Sequence, residues 1–386
     1  YEIMSSDWSS DVCSSDLTLL LATALAAGGV VADTAPPDTS AAPLVDVSLW
    51  PPELTTLGTV WSPQVRINDR IGWGVGAEIL LPYRLAPDPA SPVSSLSFYV
   101  MGTTKGQWRA NLANDVYWGQ GRYYARARLD HDDLARRFFG IGPTASGADA
   151  DVYRPLSTLA YVEGSRELGG GLAAGLRLEG HRQAIHDVEP GSGLARADVR
   201  GREAGWAVGG GVIASYDRRD CRLQPCRGLY AQAMALAFLD RLGDHAFQVF
   251  NLDLRGYAPL GRAQTLAAQL FYYGVAGDPP FWRLASLGGR DHSRAYDRDR
   301  WLDDVLASAQ MEWRWRFSPR LGVASFAGAA VVGDGVSDLR ADHLRPSLGI
   351  GLRVYPGLEQ ATVPVRLDLA IGHRKWRAIL AVGEAF

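Results

Sequence analysis

The 386-residue sequence contains no apolar run long enough to cross a lipid bilayer as a helix. The longest such run, residues 18–32, has 15 residues, whereas a transmembrane helix needs about 20. Any residence in a membrane must therefore be through β-strands. An excess of basic residues is also lacking, because Lys and Arg total 39 against 42 for Asp and Glu, with a net charge of −3. This balance gives no reason to expect a nucleic-acid partner.

Cysteine is scarce, with three in the whole chain. Cys13 lies in residues 1–17, a polar low-complexity segment that is unlike any export signal and is interpreted as a sequencing-adapter artefact. Cys221 and Cys226 are close in sequence, and we expect a local disulfide in a chain exported to an oxidising compartment. A metal site is less favoured, because other soft ligands are not found nearby.

The first 58 residues are predicted to lie outside the main domain. Residues 18–32 end in Val-Val-Ala, small side chains where a signal peptidase cuts, and they fit a signal peptide that has lost its basic start. Residues 33–58 are rich in Pro, Ala and Thr and are interpreted as a periplasmic segment. Residues 59–386 are left for one large domain.

Alternation with a period of two marks much of this domain. Residues 311–317 place Met, Trp, Trp and Phe on one face of a strand and Glu, Arg and Arg on the other, and residues 363–371 alternate similarly. A soluble β-sandwich would show the same alternation with its apolar face inward. The pattern alone therefore leaves two architectures open.

Other features favour a membrane barrel. The segments are about ten residues long, aromatic residues lie at their ends, and an export signal precedes them. Closing the sheet also leaves no unpaired backbone group in lipid, where each costs several kcal/mol. We predict an all-β fold, a transmembrane antiparallel β-barrel of sixteen strands, because fifteen or sixteen segments are counted and such barrels have an even number. Residues 278–304 are predicted to form a long loop between two strands.

Two motifs lie in the second half of the chain. In the first, Gly288 and Gly289 form a flexible hinge ahead of Arg294, which is flanked by small residues and followed by Ala295 and Tyr296. The second is made of two short clusters, residues 215–220 and residues 225–230. Its residues are Tyr216, Asp217, Arg219, Asp220, Pro225 and Gly228.

These motifs resemble those of the BamA/TamA-type superfamily of outer-membrane proteins, the bacterial surface antigen barrels. The first is similar to the family's inward-folded loop and the second to one of its turns. Further stretches that resemble the family are residues 62–63 with 72–76, 103–107, 138–142 and 382–386. The resemblance implies an integral barrel in the outer membrane of a Gram-negative bacterium. Residues 33–58 are too few for one of the family's POTRA domains, so the chain is similar to a POTRA-less member.

The resemblance also implies that Arg294 anchors the loop inside the barrel. A lumenal arginine must be paired or solvated. Glu312, on the polar face of the strand after the loop, is the first candidate partner, and Asp368 is the second. The sequence departs from the family at two places: Ala295 stands where glycine is usual, and Gly328 stands where an acidic residue is expected.

Partners follow from the same resemblance. Gly383 and Phe386 resemble the terminal strand signal that the barrel-assembly machinery reads, so this machinery is an expected partner during biogenesis. Outer-membrane lipid, including lipopolysaccharide, is the other, and several tryptophans are expected at the lipid face or its interface. These tryptophans are Trp108, Trp118, Trp313, Trp315 and Trp376. No cofactor and no metal are expected.

The family implies a role in the assembly or translocation of outer-membrane proteins or lipids, with the client left open. The alternative is a passive outer-membrane pore for small anionic solutes. An enzyme is not expected, because His292 and Ser293 are adjacent, and adjacent side chains on an extended chain point in opposite directions. The arginines that could line an anion pore are Arg126, Arg128, Arg314, Arg316 and Arg366.

Overall fold

The structure is a computed structural model. It describes residues 55–56, 59–68, 70–85, 92–145, 150–188, 192–196, 199–222, 224–261, 263–289, 292–355, 364–373 and 375–386. The predicted artefact, the signal peptide and nearly all of the Pro-rich segment lie outside the described residues.

Within the described residues, the chain forms twenty strands and one short α-helix. The helix, α1, spans Gly193–Arg196 and lies between β9 and β10. The strands are β1 (Thr55–Thr56), β2 (Val60–Asn68), β3 (Gly72–Arg84), β4 (Ser94–Thr103), β5 (Trp108–Trp118), β6 (Tyr123–Asp133), β7 (Arg136–Phe138), β8 (Asp151–Gly169), β9 (Leu172–Val188), β10 (Gly205–Asp217), β11 (Gly228–Phe238), β12 (Phe247–Gly261), β13 (Gln264–Gly277), β14 (Ala285–Leu287), β15 (Trp301–Asp303), β16 (Val305–Trp315), β17 (Leu321–Gly333), β18 (Arg345–Val354), β19 (Val365–Gly372) and β20 (Lys375–Val382).

Antiparallel ladders join each long strand to the next along the chain, from β2 to β20. Strand β6 pairs with β8, the three-residue β7 pairs with the first three residues of β8, and β13 pairs with β16. Strands β14 and β15 form a separate hairpin inside the β13–β16 loop. Apart from the short β1 and β7, the large sheet has sixteen strands in the part of the chain that the structure describes, so the predicted all-β antiparallel architecture is confirmed.

Contacts between distant strands show that the sheet curves around an interior. Arg222, in the β10–β11 turn, donates a 2.8 Å hydrogen bond to the hydroxyl of Tyr117 on β5. Arg283, in the β13–β16 loop, pairs with Glu179 on β9 at 2.6 Å. The loop therefore lies inside the barrel, in contact with a strand that is not adjacent to its own strands.

The barrel is polar on its inner face and apolar on its outer face. On β16, Glu312 and Arg314 are buried, whereas Met311 and Trp315 are 49% and 40% exposed. A soluble sandwich would show the reverse, so the burial pattern decides between the two architectures that the sequence left open. Other exposed apolar side chains of the outer face are Val75, Val100, Leu129, Val162, Leu176, Leu178, Val212, Leu252, Leu270, Ile350 and Ile371.

Among the described residues, the largest buried apolar cluster lies between the inward loop and the wall. Leu287, Ala295, Tyr296 and Trp301 of the loop pack against inner-face residues of β16, β17 and β19. Burying this apolar surface stabilises the loop in the lumen. The wall residues of the cluster are Leu306, Phe326, Ala330, Val332 and Ala370.

Aromatic side chains bound the apolar band of the outer face. The loop end of the barrel carries the β6–β8, β9–β10 and β13–β16 connections, and Trp108 and Trp206 lie exposed near it. The turn end carries the β5–β6 and β8–β9 turns. Thr158 and Arg166 mark these two levels on β8 and are eight residues apart, about 26 Å along a strand. For a strand tilted by about 35–45°, this length corresponds to a height of roughly 20 Å, so the two levels lie near the edges of an apolar band of roughly 25 Å. The aromatics at the turn end are Trp118, Tyr123 and Tyr216.

Among the described residues, no helix has the length and hydropathy needed to cross a bilayer.

Leu178 lies midway between the two levels on the outer face and is 68% exposed. We expect Leu178→Arg to lower the free energy of unfolding in lipid vesicles by about 2–4 kcal/mol, because an arginine at the bilayer midplane loses its hydration. The matched control is Leu168→Arg, since Leu168 is 60% exposed but lies beyond the turn-end level. Denaturant titration in vesicles measures both. Equal losses for the two variants would mean that this face does not contact hydrocarbon.

Candidate functional site: the lumenal loop and its ion network

The glycine pair fixes the path of the inward loop. Gly288 and Gly289 have φ angles of 118° and 103°, which side chains rarely adopt. A Cβ at Gly288 would also lie 1.8 Å from the carbonyl oxygen of Asp297. The backbone N–H of Gly289 donates to the carbonyl of Tyr296 at 3.0 Å, which holds Gly289 close to the residues that follow Arg294.

Arg294 is 1% exposed and contacts both predicted partners. Its Nη1 donates to Asp368 Oδ2 at 2.8 Å, and its Nη2 lies 2.6 Å from Glu312 Oε2, at an angle too oblique for a hydrogen bond. The guanidinium also stacks 3.5 Å from the ring centroid of Phe326. The loop is thus attached to β16, β17 and β19 through one side chain.

Glu312 links Arg294 to two further arginines. Arg314, two residues along β16, donates to Glu312 Oε1 at 2.9 Å. Arg353 on β18 donates to the same oxygen at 3.2 Å. Because successive side chains of a strand alternate between faces, Glu312 and Arg314 both point into the lumen. A single fully buried carboxylate therefore holds the loop, its own strand and β18 together.

Asp368 is the second centre of the network. Arg353 donates to its Oδ1 at 2.6 Å and Arg366 to its Oδ2 at 3.0 Å. Glu384 completes the group, since it accepts a 3.0 Å hydrogen bond from Arg353. We call the group the lumenal ion network. It comprises Arg294, Arg314, Arg353, Arg366, Glu312, Asp368 and Glu384.

Glycines on β18 make room for this network. A Cβ at Gly351 would lie 2.2 Å from Asp368 Oδ1 and 2.4 Å from Arg353 Nη1. A Cβ at Gly349 would lie 2.2 Å from the ring of Phe326, on which Arg294 stacks. The pairings therefore require a strand with no side chain at these two inner positions.

Ala295 and Tyr296 seat the tip of the loop. Ala295 is 4% exposed and is not among the residues with positive φ, which explains why alanine is tolerated where the family has glycine. The hydroxyl of Tyr296 donates to the carbonyl of Pro346 at 2.7 Å. Its own carbonyl accepts a 2.6 Å hydrogen bond from Arg377 on β20.

The other end of the loop is held by the opposite wall. The ring of Phe281 packs against Phe138 and Tyr153. The backbone N–H of Gly142 donates to the carbonyl of Leu302 at 2.7 Å, so the segment at residues 138–142 contacts the inward loop directly. The loop consequently crosses the lumen from β8 and β9 to β19.

The last residues of the chain turn into the lumen. Gly383, with a φ of 85°, ends β20, and Phe386 packs against Tyr257 and Ala267 on the opposite wall. Arg314 donates a 2.8 Å hydrogen bond to a terminal oxygen of Phe386. Gly383 and Phe386 thus lie after the last strand rather than within it. Their role as a signal for the assembly machinery stays a prediction.

The second motif forms the β10–β11 turn. Asp217 pairs with Arg219 at 2.9 Å, and the guanidinium of Arg219 lies 4.3 Å from the ring of Tyr230. Gly228 has a φ of 114°, and a Cβ there would lie 2.1 Å from a backbone oxygen. Pro225 is buried, and Tyr216 is exposed on the outer face.

The disulfide expected between Cys221 and Cys226 is not formed, and both side chains are free thiols. The turn is held by a different group. Asp220 Oδ1 accepts hydrogen bonds from the backbone N–H groups of Cys221, Cys226 and Arg227, at 2.9, 3.0 and 3.2 Å. One carboxylate therefore closes the turn without a covalent link.

Two members of the ion network were missed from the sequence, Arg353 and Glu384. The period-two pattern of β18 could have indicated Arg353 as a lumenal residue. Glu384 follows the turn at Gly383, where alternation no longer applies, so its position carried no such signal.

Comparison with known proteins rests on structure, since no family model matches the sequence and no curated protein does. The fold is similar to that of BamA from Haemophilus ducreyi lacking POTRA domains 1-3, with a TM-score of 0.56, 12% identity, and 84% of this chain and 69% of that chain covered. CdiB from Acinetobacter baumannii gives a TM-score of 0.54 and 12% identity, with 86% of this chain and 60% of CdiB covered. The chain thus spans less than two thirds of the length of CdiB. It has a BamA/TamA-type barrel fold.

We expect Arg294→Ala in this BamA/TamA-type barrel to lower the free energy of unfolding by about 3–5 kcal/mol, because it breaks a buried ion pair and removes the support of the loop. The loss of the folded, fast-migrating gel band on heating measures the effect. Arg298→Ala is the matched control, since Arg298 lies in the same loop with a side chain that is 48% exposed. Unchanged heat resistance of Arg294→Ala would contradict the anchoring role.

Acidic side chains crowd the junction between the loop and β16. Burial, with Asp334 and Asp303 nearby, raises the pKa of Asp304 to about 6. The folded state then binds a proton more tightly than the unfolded chain, so this group makes stability fall as pH rises from about 4 to 6. We expect Asp304→Asn to raise the thermal midpoint at pH 8 and to change it little at pH 4. The exposed Asp342→Asn is the control, and a gain confined to pH 4 would contradict the pKa assignment.

Proposed function

We propose that this outer-membrane β-barrel is a plugged barrel that takes part in the assembly or translocation of outer-membrane proteins or lipids. The observation that carries the proposal is the loop seated across the lumen by Arg294 and its two buried carboxylates. An inward loop with such an anchor is what the resemblance to the BamA/TamA superfamily implies. A plug held by many contacts keeps the barrel closed until a client or a change in the wall loosens it.

The charge pattern of the lumen supports a plug over a passive pore for anions. An anion-selective lining needs arginines whose charge is available to solutes. Four of the five candidate arginines have a carboxylate partner instead. The pairs are Arg126 with Asp115 at 3.6 Å, Arg128 with Asp130 at 2.5 Å, Arg314 with Glu312 at 2.9 Å and Arg366 with Asp368 at 3.0 Å.

The fifth arginine, Arg316, lies beyond β16. It donates to the carbonyl of Pro319 at 2.5 Å, and its guanidinium lies 4.1 Å from the ring centroid of Tyr355. It is therefore at the turn end and adds no charge to the middle of the lumen.

Planar-bilayer conductance of the purified barrel tests the proposal. We expect a mostly closed barrel with rare, large openings, because the loop leaves the lumen only when several ion pairs break together. Arg294→Ala should raise the fraction of time open at least several-fold, and Arg298→Ala should behave as the unmodified protein. A steady ohmic current from the unmodified protein would favour the passive pore.

A further inference from the structure

A row of polar side chains crosses the lipid-facing surface near the loop end. His131 on β6 lies opposite Thr158 on β8, and Thr158 lies opposite Arg182 on β9. Arg182 in turn lies opposite Trp206 on β10. Trp108 on β5 is next to His131, with ring centroids 4.7 Å apart. We call these five residues the outer row.

The strand pattern shows that the outer row faces away from the lumen. On β9, Leu176 and Leu178 are 65% and 68% exposed, whereas Glu179 and His181 are buried on the inner face. Arg182 has the same parity as the two leucines, so its side chain lies on the outer face. A guanidinium on that face needs an explanation, because the surrounding surface is apolar.

Side-chain contacts hold the row together. The Nδ1 of His131 lies 2.7 Å from Thr158 Oγ1, within hydrogen-bond distance. The guanidinium carbon of Arg182 lies 5.7 Å from the ring centroid of Trp206. Trp108 and Trp206 are both exposed, so the two indoles flank the polar groups from either side.

Nearby carboxylates are committed to other cations. Asp133, at the next level toward the loop end, pairs with Arg154 at 2.6 Å and with His186 at 3.3 Å. In the described part of the chain, the guanidinium of Arg182 contacts the Trp206 ring, and no carboxylate lies within ion-pair distance of it. The positive charge of Arg182 is therefore available to a partner outside the protein.

The depth of the outer row in the membrane indicates the chemistry of that partner. An arginine on the lipid face costs about 2–4 kcal/mol at the bilayer midplane but only about 0–1 kcal/mol near the interface. Tryptophans collect at the same interface. The outer row thus lies at the depth of lipid headgroups, whose phosphates are the anions present there. A guanidinium can bind two phosphate oxygens at once, and a hydroxyl bonded to an imidazole leaves one further donor beside it.

We propose that the outer row binds the phosphate of a lipid headgroup in the leaflet at the loop end. Arg182 supplies the charge, the hydrogen-bonded pair of Thr158 and His131 supplies a further donor, and Trp108 and Trp206 pack against the lipid on either side. This inference rests on the placement of the barrel in a membrane and is independent of the proposed plug and of any client.

The chain supplies a matched control at the opposite level. Arg166 also lies on the outer face of β8, and its guanidinium carbon is 5.8 Å from the ring centroid of Tyr123. Its partner on β9 is Ala174, so no hydroxyl or imidazole follows it along the row. Arg166 therefore shares the charge and the aromatic contact of Arg182 but lacks the hydrogen-bonded hydroxyl–imidazole pair.

Native mass spectrometry of the purified barrel, titrated with diphosphorylated lipid A, tests the proposal. We expect one lipid A molecule to be retained by the unmodified protein, and Arg182→Gln to weaken its retention about tenfold, the loss of one charge-assisted contact. Arg166→Gln should retain lipid A as the unmodified protein does. The folded gel band verifies that both variants are intact.

Three results would overturn the assignment. Full retention by Arg182→Gln would show that this arginine does not bind the lipid. Equal loss from Arg182→Gln and Arg166→Gln would indicate general electrostatic attraction instead of a site. Complete displacement of lipid A by millimolar inorganic phosphate would assign the row to a free anion.

Discussion

The burial of the positive charge of Arg294 determines which side chains and strands must surround the inward loop. A guanidinium removed from water is tolerated only when carboxylates and hydrogen bonds replace its hydration. Those carboxylates, Glu312 and Asp368, come from β16 and β19, and each also serves other arginines. The loop can be seated only when these strands and β18 stand in their final register. Folding of the wall and docking of the loop therefore depend on the same pairs.

The alternation of side chains along each strand places apolar groups on the outer face of the wall and charged groups on its inner face. Outward side chains such as Leu178 are left without protein contacts because lipid covers them. Inward side chains bear charges in a confined space, where unpaired groups would be costly. The outer row that contains Arg182 is the exception on the outer face, and it lies at the level where water and headgroups begin. Position along a strand, rather than residue type alone, thus decides where charge is tolerated.

Much of this arrangement could be predicted from the sequence, because period-two alternation is a local property. It gave the number of strands and placed Glu312 and Asp368 on inner faces, next to a loop that must hold an arginine. Contacts that join distant strands could not be predicted from this local pattern. Arg353 depends on the space left by Gly351, and Glu384 depends on the turn at Gly383. The disulfide predicted from the cysteine spacing is not formed, and Asp220 closes that turn with hydrogen bonds instead.

The inward turn of the last residues couples the last strand to the inward loop. Arg353 binds Glu384 after β20 and also Glu312, which holds the loop. Arg377 on β20 donates to the backbone of the loop at Tyr296. Displacing the last strand therefore weakens the seat of the loop, and releasing the loop weakens the seat of the last strand to the same extent in free energy. The plug and the edge of the sheet act as one thermodynamic unit, so neither moves at equilibrium without biasing the other.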